Sequence, residues 1–528
     1  MKGRFLFSGI MIVLCCLASG PSLSAQVDET PLAQVYVEGA LKALHDGRWQ
    51  DAEALLEQGT DFSSASSDLS YLKALVGLQL GRPLGAVLAA LRQARDTDRW
   101  QRYSAESASL LEAQALIQMR QFETAQQLLQ SLFSTADVLY YQAKIVALQQ
   151  KQGLFTQLIW QAVQSYPLDP RFAALYFNYM QQNRPGTLDQ RLVALLLSRL
   201  PMLQETDPGL AILALPFIQN IDERRRIIEE YRAHNTDMLF MLPQALELGV
   251  IDERTASTEL AVHQTIPVEL IRQVWAQLRT EGSRRYFSET FSRYSGRITE
   301  DSDRDGISEV VVEYNQGRIQ TYHFDANQDR IDEIRITFEQ GIPKEGTIAP
   351  YEGSLEARLF WKSYPLVEQC IAGTVTYIPG PASFSYAPFT LKPIVGSYPE
   401  ITLLFPEREK LLPRLTERAL VSFAAKIIRP GSLAKDSIET IELKNSLPLR
   451  STETLQGRII SILDFSLGQP SIQRMDMDLD GRMETVRRFR KGTAQLDPVE
   501  ALNYQQRYES IESDWDGDGI YEDRETIR

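Results

Sequence analysis

The stretch Asp301-Ser-Asp303-Arg-Asp305-Gly306-Ile307-Ser308-Glu309 constrains this chain more than any other, because the chain writes it four times. It recurs as Asp325-Ala-Asn327-Gln-Asp329-Arg330-Ile331-Asp332-Glu333 and as Asp476-Met-Asp478-Leu-Asp480-Gly481-Arg482-Met483-Glu484. The last copy is Asp514-Trp-Asp516-Gly-Asp518-Gly519-Ile520-Tyr521-Glu522. Oxygen-bearing side chains occupy positions one, three, five and nine of every copy. A tightly turning loop aims the first three at a common point, and Gly at position six tolerates the positive φ of the turn. Such an oxygen cage suits a hard cation, and Ca²⁺ is the cofactor expected, in a structural role. The competing reading is four acidic surface turns that bind nothing.

The flanks decide what kind of loop this is. An EF-hand carries a bidentate Glu at position twelve and a helix on each side. Position twelve is Val312, Ile336 and Arg487 in the first three copies, and only the last has Glu525. The residues after the first two loops alternate as strands do, in Val310–Tyr314 and Ile334–Phe338. Asn315-Gln-Gly317 is a turn signal, and Ile319–Phe324 is a further strand. This strand–loop–strand meander of DxDxDG type resembles the calcium hairpins of FG-GAP and integrin-type repeats, and more loosely thrombospondin type 3 loops. The resemblance implies a metal ligand at each quoted position. Arg330, where the other copies have Gly, makes the second loop the weakest site.

Met1–Ala25 has the form of an export signal. Lys2 and Arg4 precede the apolar stretch Phe5–Leu17, and Ser22–Ala25 offers small residues for cleavage. Its removal takes the net charge from −14 to −16 and leaves Cys370 as the single cysteine. An exported chain without a disulfide framework has room for calcium as its staple. The acidic balance disfavours nucleic acid as a partner, and no further stretch predicts stable membrane insertion after cleavage. The location expected is the periplasm or surface of a bacterial cell.

Residues 26–182 show helical hairpins at a regular spacing. The turn-like segments are Gly47–Ala52, Gly81–Ala86, Arg120–Ala125 and Gly153–Leu158, with Ala40, Ala74 and Ala113 seven residues before the first three. Small residues there let paired helices approach closely. The period resembles tetratricopeptide (TPR) repeats, with Pro170 at the family's inter-repeat position. That resemblance implies an α-solenoid with a surface for a protein partner. Residues 183–282 continue helical without a period, in Arg191–Leu200, Asp222–His234 and Val268–Thr280, and prolines such as Pro201 mark breaks. Aromatic alternation in Tyr286–Tyr294 puts the change to strands near residue 282. Residues 283–528 read as a β-rich domain holding all four loops, either one irregular domain or two related blocks around an insert. The fold class is therefore α+β in two parts: a TPR-like helical solenoid, then an antiparallel β-rich domain.

Signals of catalysis are weak. His45, His234, His263 and His323 are isolated in sequence, and there is no Walker loop, GxSxG elbow or HExxH. No catalytic residue is assigned. The aromatics Phe360, Trp361, Tyr364, Tyr377, Phe384 and Tyr386 read as β-core rather than as the floor of a glycan site. The leading expectation is a non-catalytic exported binding scaffold in the cell envelope, acting through protein–protein contacts. The alternatives are an enzyme acting on envelope polysaccharide and a structural subunit of an envelope assembly.

Overall fold

The computed structural model describes residues 31–62, 66–183, 189–234, 239–350, 354–380, 384–396, 398, 402–408, 414–490, 497–503, 508–514, 518 and 520–526. The expected export signal and Asp516 lie outside these residues. The chain divides into a helical unit and a strand unit, an α+β architecture in two parts. The helical unit comprises Met1–Phe287 together with Glu300–Glu309 and Asp325–Ile331. The first acidic loop and Asp325–Ile331 of the second thus belong with the helices, while Asp332 and Glu333 fall with the strands; the sequence pattern placed all four loops among the strands.

The helical unit is an array of hairpins: α1 (Pro31–His45) with α2 (Trp49–Phe62), α3 (Ser67–Gln79) with α4 (Leu84–Thr97), α5 (Ala105–Gln118) with α6 (Phe122–Gln130), and α7 (Ala136–Leu148) with α8 (Gln152–Ser165). A further helix, α9 (Pro170–Asn183), continues the row, since α1, α3, α5, α7 and α9 touch one another in succession. Ser66, Ser104 and Thr135 accept the first free amides of α3, α5 and α7, and so set where these helices begin.

The hairpin turns are one motif. At Gly47, Gly81, Arg120 and Gln150 the backbone is left-handed, with φ of 73, 74, 58 and 56°. Each of these amides bonds the carbonyl three residues back, and the next amide bonds the carbonyl five residues before it. That is the Schellman ending of a helix, which favours Gly but does not demand it. The fourth turn therefore lies at Gln150 and not at Gly153, which is inside α8. With that shift Ala143 falls seven residues before its turn, and Ala40, Ala74, Ala113 and Ala143 are all buried between helices.

Beyond the array, helices span Gln190–Thr206, Ile221–His234 and Val268–Gln277. The first runs through Pro201, so the expected break is absent there; the missing N–H costs one helical bond at an exposed position. Tyr286–Phe291 is also helical, in Glu281–Phe291. Its buried Phe287 and Phe291 are four apart, a helical spacing that resembles alternation when read beside Tyr286 and Tyr294.

The strand unit is a single antiparallel succession, which decides against two separate blocks. Val310–Asn315, Arg318–Phe324, Ile334–Glu339, Ile342–Ile348, Ala357–Ser363, Leu366–Ala372 and Val375–Pro379 pair in order. Val375–Pro379 then pairs with Ala424–Pro430, which continues the ladder through Ile438–Lys444 to Asp523–Thr526. The interruption holds a two-stranded sheet, Phe389–Pro393 with Leu404–Arg408. Strand alternation buries Val310, Val312, Tyr314, Ile319, Tyr322 and Phe324 on one face. The expected turn at Asn315-Gln-Gly317 forms, with Gln316 and Gly317 both left-handed.

Trp361 is the fully buried anchor of this face, and its indole N–H donates to the Tyr386 carbonyl at 3.0 Å. Tyr377 and Tyr386 are buried as core, Tyr364 stacks on Phe389 with centroids 5.3 Å apart, and Phe360 and Phe384 are half-buried, Phe360 under the Arg358 guanidinium. Gly346 sits under the Trp361 ring: a Cβ there would lie 2.6 Å from Cη2. Gly346→Ala should cost about 1–3 kcal/mol, because the hydrogen-bonded ring cannot swing away. Urea unfolding followed by tryptophan fluorescence tests this, and a midpoint equal to wild type would show that the ring has room to move.

Candidate metal centre

The first three loops share one backbone form. In each, the carboxylate at position one accepts two loop amides. Asp301 takes those of Asp305 and Gly306, Asp325 those of Asp329 and Arg330, and Asp476 those of Leu479 and Gly481. The position-five carboxylate accepts the amide two residues on, at Ile307, Ile331, Arg482 and, in the fourth loop, Ile520. Position six is left-handed at Gly306, Arg330 and Gly481, as the sequence suggested for Gly. Position four is left-handed too, at Arg304, Gln328 and Leu479, which nothing in the residue types announced.

The loops also associate in twos. The Asp325 amide donates to the Glu309 carbonyl at 2.9 Å, and the Asp514 amide to the Glu484 carbonyl at 2.8 Å. The first residue of one loop is thereby fixed to the ninth of the loop before it.

Among the described residues, three sets of carboxylates bring ligand atoms within 4.8 Å of one another: Asp301, Asp303 and Glu309; Asp476, Asp478, Asp480 and Glu484; and Asp514, Asp518 and Glu522. Asp305 stands apart from the first set, and Asp325, Asp329 and Glu333 of the second loop form none. Asn327 instead accepts the Asp329 amide at 2.8 Å. Burial, with like charge beside it, pushes the Asp305 carboxyl up to about 6. Burial likewise raises Glu309 to about 7, and Asp301 upward. Carboxylates gathered away from water at this density favour a bound cation or a proton. The side-chain set is all oxygen, which fits Ca²⁺ rather than a softer metal.

The first two loops are tied to the ends of array helices. Arg120, at the turn after α5, pairs with Asp303. Arg304 donates to the Gln182 carbonyl near the end of α9, at 2.7 Å. In the second loop the Arg330 guanidinium donates to the Leu78 carbonyl (2.8 Å), the Arg82 carbonyl (3.3 Å) and Gln118 Oε1 (3.1 Å). The Asp329 carbonyl accepts the Leu84 amide at 3.0 Å. A cation over carbonyls at the C-terminus of α3 also meets the negative end of its dipole. Arg330, which looked like a defect in a metal loop, is thus a docking side chain. Arg330→Gly relieves the left-handed strain but should still destabilise the helical unit by about 1–3 kcal/mol, through the lost charged hydrogen bonds. Thermal unfolding at 222 nm checks this, and a rise in midpoint would show that strain outweighs docking.

In the strand unit a cleft of roughly 670 Å³ lies beside the third and fourth loops. Asp478, Glu484, Arg487, Asp514, Asp523 and Glu525 are among its lining residues. Glu484 Oε1 is buried and has no hydrogen-bond partner among the described residues. His323, isolated in sequence, has polar partners in the structure. His323 Nδ1 lies 2.7 Å from Asp332 and its Nε2 3.2 Å from Thr321 Oγ1. That hydroxyl donates to Glu313 at 3.0 Å, so His323 and Thr321 stand in a cross-strand polar chain. Cys370 is buried, and burial pushes its thiol up to about 12, as befits a packing residue.

The class defined by these features is a helical-hairpin array joined to an antiparallel strand unit, with paired acidic loops. No family model matches the chain. A protein of Treponema pallidum (strain Nichols), described as uncharacterized, is 23% identical over 608 residues, covering 91% of this chain and 75% of its own length. Among solved structures, Pseudomonas aeruginosa PilF is 13% identical, covers 40% of this chain and 97% of its own, and has a TM-score of 0.32. A tetratricopeptide repeat protein from Parabacteroides merdae is 12% identical over 49% of this chain and 98% of its own, with a TM-score of 0.33. No helix among the described residues is long and apolar enough to cross a membrane.

Proposed function

We propose that this chain is a non-catalytic, exported binding scaffold whose helical array engages a protein partner and whose acidic loops are stabilised by calcium. The observation that carries the reading is the continuous row α1, α3, α5, α7 and α9. Side chains from successive helices in such a row form an extended surface of the kind that receives a peptide or a protein. Its chemistry is that of a scaffold and not of a reaction. Export is supported by the form of Met1–Ala25, and calcium by the three convergent carboxylate sets.

Amine crosslinking of the full chain in its native cells, with the crosslinked residues mapped, tests the reading. Partner crosslinks through Lys42 of α1 and Lys73 of α3 are expected. Crosslinks confined to residues 310–526 would move the partner to the strand unit. The cleft beside the third and fourth loops keeps one competitor specific, an envelope-polysaccharide enzyme using two of its carboxylates. That competitor predicts release of reducing ends from purified cell-wall glycan, lost in Glu484→Gln. The scaffold reading predicts none.

A further inference from the structure

We propose that the first and second acidic loops, joined to each other, act as a strap across the helical array, so that α3 and α9 open together and not hairpin by hairpin. The strap needs neither calcium nor a partner.

The two loops form one piece. The Asp325 amide donates to the Glu309 carbonyl at 2.9 Å, and Gln328 Nε2 donates to Glu309 Oε1 at 3.2 Å. The Gln328 side chain also hydrogen-bonds the Asp305 carboxyl. Gln328 is only 2% exposed, so its amide is a rivet buried between the loops. Arg304, Gln328 and Arg330 are left-handed, at φ 62, 56 and 70°. Such a backbone is unfavourable for a residue with a Cβ and persists only where the surrounding contacts hold it.

The outer contacts of this piece fall on separate hairpins. Arg330 donates to the Leu78 carbonyl of α3 at 2.8 Å and to Gln118 Oε1 of α5 at 3.1 Å, and Arg120 after α5 pairs with Asp303. Arg304 donates to the Gln182 carbonyl of α9 at 2.7 Å. In the row α3, α5, α7, α9 the first and last helices stand three steps apart. Each hairpin of a plain repeat array meets only its neighbours, so opening at one end leaves the other intact. Here the loss of α3 frees Arg330, and the strained loop pair then releases α9 as well. The reverse holds for the loss of α9. A row braced in this way keeps one curvature, which lowers the ordering cost of receiving a partner.

The test is native-state hydrogen exchange of the full chain in EGTA, read by mass spectrometry in peptides from α3 (Ser67–Gln79) and α9 (Pro170–Asn183). The variants are Arg330→Gln, Arg304→Gln and the two together; glutamine keeps the Cβ, so the backbone strain is unchanged. Arg330→Gln should speed exchange about tenfold in α9 as well as in α3, although its hydrogen bonds go to the ends of α3 and α5 and the turn after α3. Arg304→Gln, whose guanidinium is bonded to α9, should do the same in α3. The double variant should add less than about threefold to either single one, because the strap has already been released. Exchange that quickens only in the helix each arginine touches, or effects that multiply in the double variant, would overturn the proposal. Unchanged exchange in both single variants overturns it too.

Discussion

Millimolar calcium is expected to raise the unfolding temperature of the full chain, and EGTA to lower it, more than any single substitution in the cores. Each convergent carboxylate set bound at calcium 100-fold above its Kd adds about 2.7 kcal/mol, provided the unfolded chain does not bind. The sets are Asp301, Asp303 and Glu309; Asp476, Asp478, Asp480 and Glu484; and Asp514, Asp518 and Glu522. Magnesium should substitute poorly, since it demands near-octahedral geometry and releases water reluctantly. The distribution of the effect reflects where the loops belong. Asp301 to Glu309 is part of the helical unit and the last two loops part of the strand unit. Asp478→Ala should therefore reduce the calcium-dependent gain of the strand transition, and Asp303→Ala that of the helical one. Asp325→Ala should alter the gain least, but should cost stability in EGTA as well, because its two oxygens hold the Asp329 and Arg330 amides. Calorimetry with calcium and with EGTA decides the matter, and unchanged transitions with no heat of binding would leave the loops as acidic turns.

Asp68→Ala is expected to be among the most damaging single changes in the array, at about 3–5 kcal/mol, because it strips a charged acceptor from three backbone amides at once. Asp68 is 5% exposed, in the first turn of α3. Its carboxylate accepts the amides of Gln101, Arg102 and Tyr103 at 3.1, 2.9 and 3.1 Å. The neighbouring Ser67 hydroxyl accepts the Arg99 amide at 2.8 Å. Asp68 thus closes the connection between α4 and α5, and its negative charge sits at the positive end of the α3 dipole. Alanine leaves three amides without an acceptor, each costing about 1–3 kcal/mol if water does not reach it. Asn, which retains one acceptor oxygen, should recover part of the loss. Urea unfolding followed at 222 nm measures both, and a loss under about 1 kcal/mol for alanine would mean that water replaces the carboxylate.

Much of the architecture was legible because it depends on local chemistry. Alternation in Val310–Tyr314 and Ile334–Phe338 marked strands that pair antiparallel, and Gly47 and Gly81 marked true hairpin turns. The misplacements have a common physical origin. Schellman turns accept a left-handed residue that is not glycine, so Gln150 was overlooked and Gly153 taken in its place. Phe287 and Phe291 satisfy a helical spacing, but interleaved Tyr286 and Tyr294 imitate a strand.

Short stretches of chain fixed the composition of each site. The oxygens at positions one, three, five and nine, the small residue before each hairpin turn and the Ser or Thr that caps α3, α5 and α7 all arise from local sterics and hydrogen bonding. Which distant groups those stretches meet was settled by packing alone. Arg120 on Asp303, Arg330 on the carbonyls of Leu78 and Arg82, and the amide of Gln328 beside Glu309 join residues far apart in the chain. Burial and dipole direction at such meetings depend on how the helices and loops pack, and no spacing along the chain encodes them. That is why Arg330 looked like the flaw of the second loop until its guanidinium was found at the end of α3.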